Sequence, residues 1–478
     1  MTRRHSFIKP KVDVLALSRQ ALTTKMEVDI LIGLRIVEHL GRDQPTKNST
    51  NHPKEDEILQ ILNWISLCIV SDSPSPYCDV AVAISAQPGN VTIHISSGSG
   101  SPSQHEHENI ALFIDTLRCA FLNDLGPSLI VRDFLGMLAH RALPQIIQKI
   151  RAVQKVEGGG PEYTYKRFYS LVCAWLHHRP EGEISKGFVD LAVELTRRED
   201  QATNVMVQSF FDLLSYNIED TQRTTPQEKY QHMVSAMASC DLLVSSTFFD
   251  DVINRDKPYR LSLEITDLLF LHELIRRLSQ IACYQSGLEE FVDRGVPYLK
   301  HVLGCDGMEN FKQGTGGIIV NWINTHVPQN TIKTRYWPIS PSDKIGQVLA
   351  TENLEVDHLN PEMREYICQT EVVTGAWMQG EAITPKVHCE LQLLLYLEER
   401  FIDVNGDAIG TSAPMCWACH CYIKKRNSRK WRISQTSGKA RDDWCLPPGR
   451  PDLGAAVLRS LNKKVGRVVE EYACECFP

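Results

Sequence analysis

The sequence holds no run of eighteen or so apolar residues, so no membrane span is expected. Its first residues, MTRRHSFIKPKVDVLALSR, are basic but lack a continuous apolar segment followed by small residues at a cleavage position. A secretory leader is therefore not expected, and the chain reads as intracellular, cytoplasmic or nuclear. No fixed-period repeat is present, which argues against a solenoid. An excess of positive charge is also missing: 51 Lys and Arg face 58 Asp and Glu, a net charge of −7. That disfavours a nucleic-acid binder relying on overall charge, though not a local basic patch. The 15 cysteines are an odd number and do not make a complete disulfide set. Without a leader, those inside apolar helical stretches (Cys119, Cys173, Cys240 and Cys283) read as reduced core thiols.

What is present is enough for a globular protein of more than one domain. The 478 residues exceed one ordinary core, and 43% apolar with 23% charged residues suits a packed interior. Helical spacing of apolar residues marks VDVLALSRQAL, MEVDILIGLRIVEHLG and EDEILQILNWISLCIV. The period then changes. Val80, Val82 and Ile84 alternate, a Pro-Gly-Asn turn follows, and Val91, Ile93 and Ile95 alternate again, which predicts a β-hairpin over 79–97. The Ser/Gly/Pro stretch SSGSGSPSQHEHE reads as a loop. From about 109 to 305 the pattern is helical almost throughout, MVQSFFDLLSYNIED included, with a break at the glycines of 158–160. Residues 306–380 are mixed, with Gly-rich and Pro-rich turns. The final segment predicts a helix in VHCELQLLLYLEERF, a strand in AIGTSAP, a helix opening at CWACHCYIKKR, a strand in KWRISQTSG and a closing helix in GAAVLRSLNKKVGRVVEEYA. Such alternation implies a sheet flanked by helices.

Chemistry concentrates in that final segment. His388-Cys389-Glu390 opens one predicted helix, and Cys416-Trp417-Ala418-Cys419 opens the next, 28 residues after His388 with a strand between. A catalytic zinc takes three protein ligands and keeps a position open, and one imidazole with two thiolates supplies three. Two cysteines separated by two residues on one helical turn can face a single metal. A helix N-terminus favours the thiolate form. A carboxylate two residues after the histidine is placed to carry a proton between a zinc-activated water and a ring nitrogen. Cys389, Cys421 and Cys445 are alternative ligands; Cys421, two residues after Cys419, points to another helix face. Pro414 stands two residues before Cys416, not the one residue of the P-C-x-x-C deaminase signature.

The stretch from about 385 to 450 resembles the zinc-dependent nucleic acid/nucleotide deaminase superfamily, and within it the OTT-type deaminase-like branch. The resemblance rests on VHCELQLLLYLE, on IGTSAPMCWACHCYI, and on Ser437, Gly438, Trp444, Leu446 and Pro447. It implies an α/β, α-β-α cytidine-deaminase-like sandwich, with Zn2+ at His388, Cys416 and Cys419 and Glu390 as the catalytic proton shuttle. It also implies hydrolytic release of ammonia from a nucleobase-containing substrate. That sheet begins with a hairpin ahead of the catalytic helix, and no clean hairpin precedes His388. Two arrangements stay open: the 79–97 hairpin supplies the first two strands, or it belongs to a separate N-terminal domain. The expected organisation is residues 1–108 with N-terminal helices and hairpin, a large all-α region over 109–370, and a catalytic domain over 371–478.

The run from His420 to Arg441 carries eight cations and no acid: Lys424, Lys425, Arg426, Arg429, Lys430, Arg432, Lys439 and Arg441. With Tyr422 and Trp431 beside them, this suggests contact with substrate phosphate, or else a solvated helix face. Lys424, Lys425, Arg429, Lys430 and Trp444 are the expected substrate-binding residues. The expected partners are a free nucleotide or single-stranded nucleic acid, and a protein through the helical region. The competing function is a deaminase-fold zinc protein without catalysis, acting as an interaction or nucleic-acid-binding module. A fourth ligand from Cys421 or Cys445 would favour it.

Overall fold

The computed structural model describes residues 26, 29–37, 57–70, 80–155, 160–178, 225–253, 262–323, 332–333, 341–351, 382–383, 385–426, 430–434, 436, 441, 443–447 and 451–476. The helices expected over 12–22 and 206–220, the glycines at 158 and 159, and most of the stretch ahead of His388 lie outside them. The described residues are mostly helical, with one mixed five-stranded sheet. The helices in chain order are α1 (29–37), α2 (Glu57–Ile69), α3 (Gln104–Leu122), α4 (Pro127–Arg141), α5 (Leu143–Gln154), α6 (Gly160–His178), α7 (Pro226–Val244), α8 (Thr247–Ile253), α9 (Ile265–Glu290), α10 (Val296–Gln313), α11 (Pro341–Thr351), α12 (Cys389–Glu399), α13 (Trp417–Lys425) and α14 (Pro451–Cys476). The strands are β1 (Val80–Gln87), β2 (Asn90–Ser97), β3 (Ile318–Ile323), β4 (Ile332–Lys333), β5 (Ala382–Ile383), β6 (Ala408–Thr411) and β7 (Arg432–Ile433).

The alternation read at 79–97 forms the hairpin, with Val82 opposite Ile95 and Ile84 opposite Ile93. Gly89 takes φ +79° in its turn, a conformation that side chains other than glycine rarely adopt. Strand order is β3-β2-β1-β6-β7, so the hairpin shares its sheet with the strands around 408–411 and 432–433. β1 runs antiparallel to β6, pairing Ala81 with Thr411 and Val82 with Gly410. Strands more than 320 residues apart in sequence are thus neighbours.

The two sheet faces differ in kind. Val80, Val82, Ile84, Val91, Ile93 and Ile95 all lie on one face, in the large apolar cluster with α2 and the helical region. Ala81 and Ala83 lie on the other, in a second cluster with α1, α12, α13 and α14. Small side chains there let α12 lie close to β1. α2 lies against the sheet on the first face. A Cβ on Gly410 would come within 2.4 Å of Leu62 carbonyl carbon, so only glycine admits that approach. Asn63 Oδ1 accepts from Thr411 N at 2.8 Å and from Ser434 Oγ at 2.6 Å, tying α2 to the ends of β6 and β7. Trp64, on the same helix, stacks on Phe291 at 4.7 Å and packs against Phe113 and Phe134, joining the sheet to the helical region.

The loop expected over SSGSGSPSQHEHE ends at Ser103, because Ser103 and Glu106 form a capping box and Gln104 already opens α3. The region expected to be all-α over 109–370 is not wholly so: Ile318–Ile323, in its mixed part, forms β3, parallel to β2. Its IIVNWI is rich in β-branched residues, but short parallel pairing is set by a distant partner. Cys119 was expected in the core and is exposed, because the buried side of α3 runs through Phe113, Leu117, Ala120 and Phe121 and misses it. Cys240 is buried and Cys283 half-buried, both free thiols. No described helix is long and apolar enough to cross a membrane.

Because β6 depends on β1 for pairing, an isolated 371–478 fragment is expected not to fold. Its circular dichroism and proton spectrum should be those of an unfolded chain, and a cooperative unfolding transition would contradict the topology.

Candidate metal centre

The centre forms where two helix N-termini meet at one end of the sheet. His388 is the N-cap of α12, in extended backbone at φ −68° and ψ 155°. Glu390 sits in the first turn of that helix. Cys416 is the N-cap of α13, and its Sγ accepts from Cys419 N at 3.4 Å. The loop from β6 to α13 is held at both ends: Ser412 N donates to Val80 O at 3.0 Å, and Thr436 Oγ1 donates to Met415 O at 3.1 Å. Pro414 therefore lies in a loop whose far side is Met415, bridged to Thr436, and that bridge delivers Cys416 to the helix start.

The ligand-type atoms of His388, Glu390, Cys416 and Cys419 all lie within 4.8 Å of one another, and all four residues are buried. His388 Nδ1 is 3.4 Å from both sulfurs. On the other side of the ring, Nε2 is 3.1 Å from Asp443 Oδ1. Glu390 Oε2 accepts from the Cys389 thiol at 3.3 Å. Burial opposes a charged His388, but the Cys416 sulfur, the Asp443 hydrogen bond and Glu390 outweigh it and raise its pKa to about 10. Burial likewise opposes a Cys416 thiolate, yet the hydrogen bond from Cys419 and the His388 charge bring its pKa down to about 6. Cys419 is pushed well above its ordinary value by burial and by Cys416.

This pattern tests whether a metal suits the residues. Without further positive charge, His388 sustains one thiolate and the second sulfur keeps its proton. A divalent cation supplies the missing charge, and the donors are of the right kind, since imidazole and thiolates are zinc ligands. The spacing also suits: bonds of about 2.3 Å to sulfur and 2.0 Å to nitrogen at a tetrahedral angle set N and S about 3.5 Å apart. The 3.4 Å separations match.

Among the described residues, no further cysteine joins the group. Cys421 is hydrogen-bonded toward Ser460 of α14, and neither it nor Cys445 belongs to the four-residue group. The basic run is less free than its sequence suggests. Arg426 forms an ion pair with Glu398 of α12, and Arg441 Nε lies 3.5 Å from Asp443 Oδ1, so acids from outside the run neutralise part of it. Tyr422 and Trp431 are buried, and Trp431 Nε1 donates to Glu398 at 2.9 Å, so these rings are not open stacking platforms. Lys424 and Lys425 are exposed on the last turn of α13, about 8 Å along the axis from Cys419. Lys430 is exposed too; Arg429 lies outside the described residues. Trp444 is wholly buried in the apolar cluster beside Val387 and Leu446. Asp443 escaped the sequence reading: the Arg441-Asp442-Asp443-Trp444 stretch shows an acid beside the quoted tryptophan, but nothing that ties it to His388.

A sheet with helices on both faces carries a His-Glu-Cys-Cys group at two helix starts, and that group is a candidate metal centre. Residues 387–448 match the OTT_1508-like deaminase family model, which takes in all four of these residues. No curated protein and no solved structure gives a significant match.

Purified protein is expected to contain about one divalent ion per chain, and Cys416→Ser to lose most of it. Metal analysis by plasma emission checks this, and equal metal in both proteins would contradict the assignment of Cys416.

Proposed function

We propose that the chain is a zinc-dependent hydrolytic deaminase acting on a nucleobase, in a free nucleotide or a single-stranded nucleic acid. The observation that carries this reading is the convergence of His388, Glu390, Cys416 and Cys419, with no third cysteine in the group among the described residues. One imidazole and two thiolates, with the carboxylate kept for proton transfer, leave one coordination position for chemistry, whereas a third thiolate as fourth ligand would close a structural site. We further infer that β1, β2, β6 and β7 with α12 and α13 are the cytidine-deaminase-like sandwich. The helical region over 109–370 is then an insertion between its second strand and its catalytic helix.

His388, Cys416 and Cys419 would hold the zinc, which supplies the Lewis acidity that brings the pKa of a water molecule to about 7. Glu390, on the first turn of α12, would take one proton from the attacking water and pass it to the ring nitrogen of the base. It would then take the remaining proton of the added hydroxyl, as the new carbonyl forms, and deliver it to the departing amine. One C–N bond is exchanged for a C–O bond, and water is consumed as ammonia leaves. Burial of Glu390 keeps competing water from the proton path. Lys424, Lys425, Arg429 and Lys430 would meet substrate phosphate at the end of α13.

Ammonia release from a panel of nucleosides, nucleotides and single-stranded oligonucleotides tests the reading. Zinc without ammonia from any of them would favour the inactive, interaction-module alternative. Glu390→Ala is expected to keep the metal and the fold while lowering turnover by about 10²–10⁴-fold. Activity near that of the unaltered protein would remove Glu390 from the mechanism.

Replacing Lys424, Lys425, Arg429 and Lys430 by Ala together is expected to weaken binding of phosphorylated substrates and flatten its salt dependence, with zinc unchanged. Fluorescence anisotropy across a salt series reads this. An unchanged affinity and slope would make the run a solvated face.

A further inference from the structure

His388 has two ring nitrogens, and its surroundings divide them. Nδ1 faces the two sulfurs, while Nε2 faces Asp443 Oδ1. An ionised carboxylate has only lone pairs to offer, so the proton of a neutral imidazole belongs on Nε2. Nδ1 then keeps its lone pair on the side of Cys416 and Cys419.

The carboxylate is not there by side-chain chance. Asp443 belongs to a segment clamped by main-chain bonds to the residues leading into His388. Lys386 N donates to Asp443 O at 2.7 Å, Cys445 N donates to Lys386 O at 3.0 Å, and Lys386 forms a parallel bridge with Trp444. Lys386 Nζ lies 3.6 Å from Oδ2 and Arg441 Nε 3.5 Å from Oδ1, so positive charge surrounds a side chain that is otherwise buried. Such a group, if uncharged or free to turn, would leave the ring orientation of His388 to the thiols alone.

We propose that Asp443 is a positioning residue of the metal centre: it holds His388 in the Nε2-protonated tautomer and aims Nδ1 at the metal position. The proposal rests on the reading of His388, Cys416 and Cys419 as metal ligands. It adds a residue that belongs to neither the His388-x-Glu390 nor the Cys416-x-x-Cys419 motif. Outer partners of ligating histidines contribute substantially to affinity, typically 10–100-fold.

Zinc and cobalt affinities of the full-length protein, read by competition with a chromophoric chelator, test this. Asp443→Ala is expected to bind each metal about 10–100-fold more weakly. Asp443→Asn, which still offers an oxygen to Nε2–H, is expected to retain most of the affinity and the cobalt absorption of the unaltered centre. Long-range nitrogen–proton correlation of the zinc-loaded protein should show His388 protonated at Nε2. Unaltered affinity in Asp443→Ala, or a His388 protonated at Nδ1, would overturn the role of Asp443 while leaving the metal centre standing. Absence of metal binding by the unaltered protein would overturn both. Should Asp443→Ala fail to fold, Asp443→Asn and the tautomer measurement decide: equal loss in Asn, or the wrong tautomer, refutes the proposal.

Discussion

The antiparallel contact between β1 and β6 is the constraint on which the rest of this molecule hangs. It is short, two residue pairs reinforced by Val80 N donating to Ser412 Oγ at 2.9 Å and Ser412 N donating back to Val80 O. Yet it fixes β6, whose end leads directly into Cys416. It also presents Ala81 and Ala83 as the floor on which α12 lies, and α12 begins with His388. Both halves of the metal centre are therefore placed by a hairpin some 300 residues upstream. The burial of six β-branched residues on the opposite face of that hairpin, at about 1.5–3 kcal/mol each, anchors it firmly enough to serve.

Electrostatics explain why the centre sits at helix starts. Four protonatable groups share one buried site, and burial alone would keep the thiols neutral and the imidazole uncharged. Helix N-termini carry partial positive charge and free N–H groups, and Cys419 N already points at Cys416 Sγ. The site thus tolerates one thiolate unaided and needs a cation for two. Asp443 extends the same alternation of charge outward, to Lys386 and Arg441 near the surface.

α2 connects this small sheet to the helical bulk. One side of it presses on Gly410 and bonds to β6 and β7 through Asn63; another carries Trp64 into a nest of aromatic rings from α3, α4 and the turn after α9. The helical region reaches back through β3, whose Asn321 donates to His94 Nδ1 and to the Tyr396 hydroxyl of α12 at 3.0 Å each. His94, also bonded to Ser85, is kept neutral by burial, with its pKa near 4. α12, which carries His388 and Glu390, is therefore braced on one side by residues from the middle of the chain.

Much of this was legible along the chain, because local rules govern it. Strict alternation at 80–95 specifies a hairpin with one apolar face. Helical period and cap positions specify α12 and α13, and residue type with spacing picks out His388, Glu390, Cys416 and Cys419. The basic run was legible as charge, but its counter-charges were not: Glu398 reaches Arg426 across a helix pair, and sequence spacing says nothing of that distance. β3 went unread because a parallel edge strand is defined by its partner. Asp443 went unread because its value lies in one hydrogen bond across 55 residues. The sequence by itself determined the donors and the elements that carry them, since side-chain chemistry and backbone period are local properties. Only the tertiary structure decided that the hairpin joins β6, and which nitrogen of His388 faces the thiols. Both depend on contacts between segments far apart in the chain, where the fold rather than the neighbouring residue sets the distance.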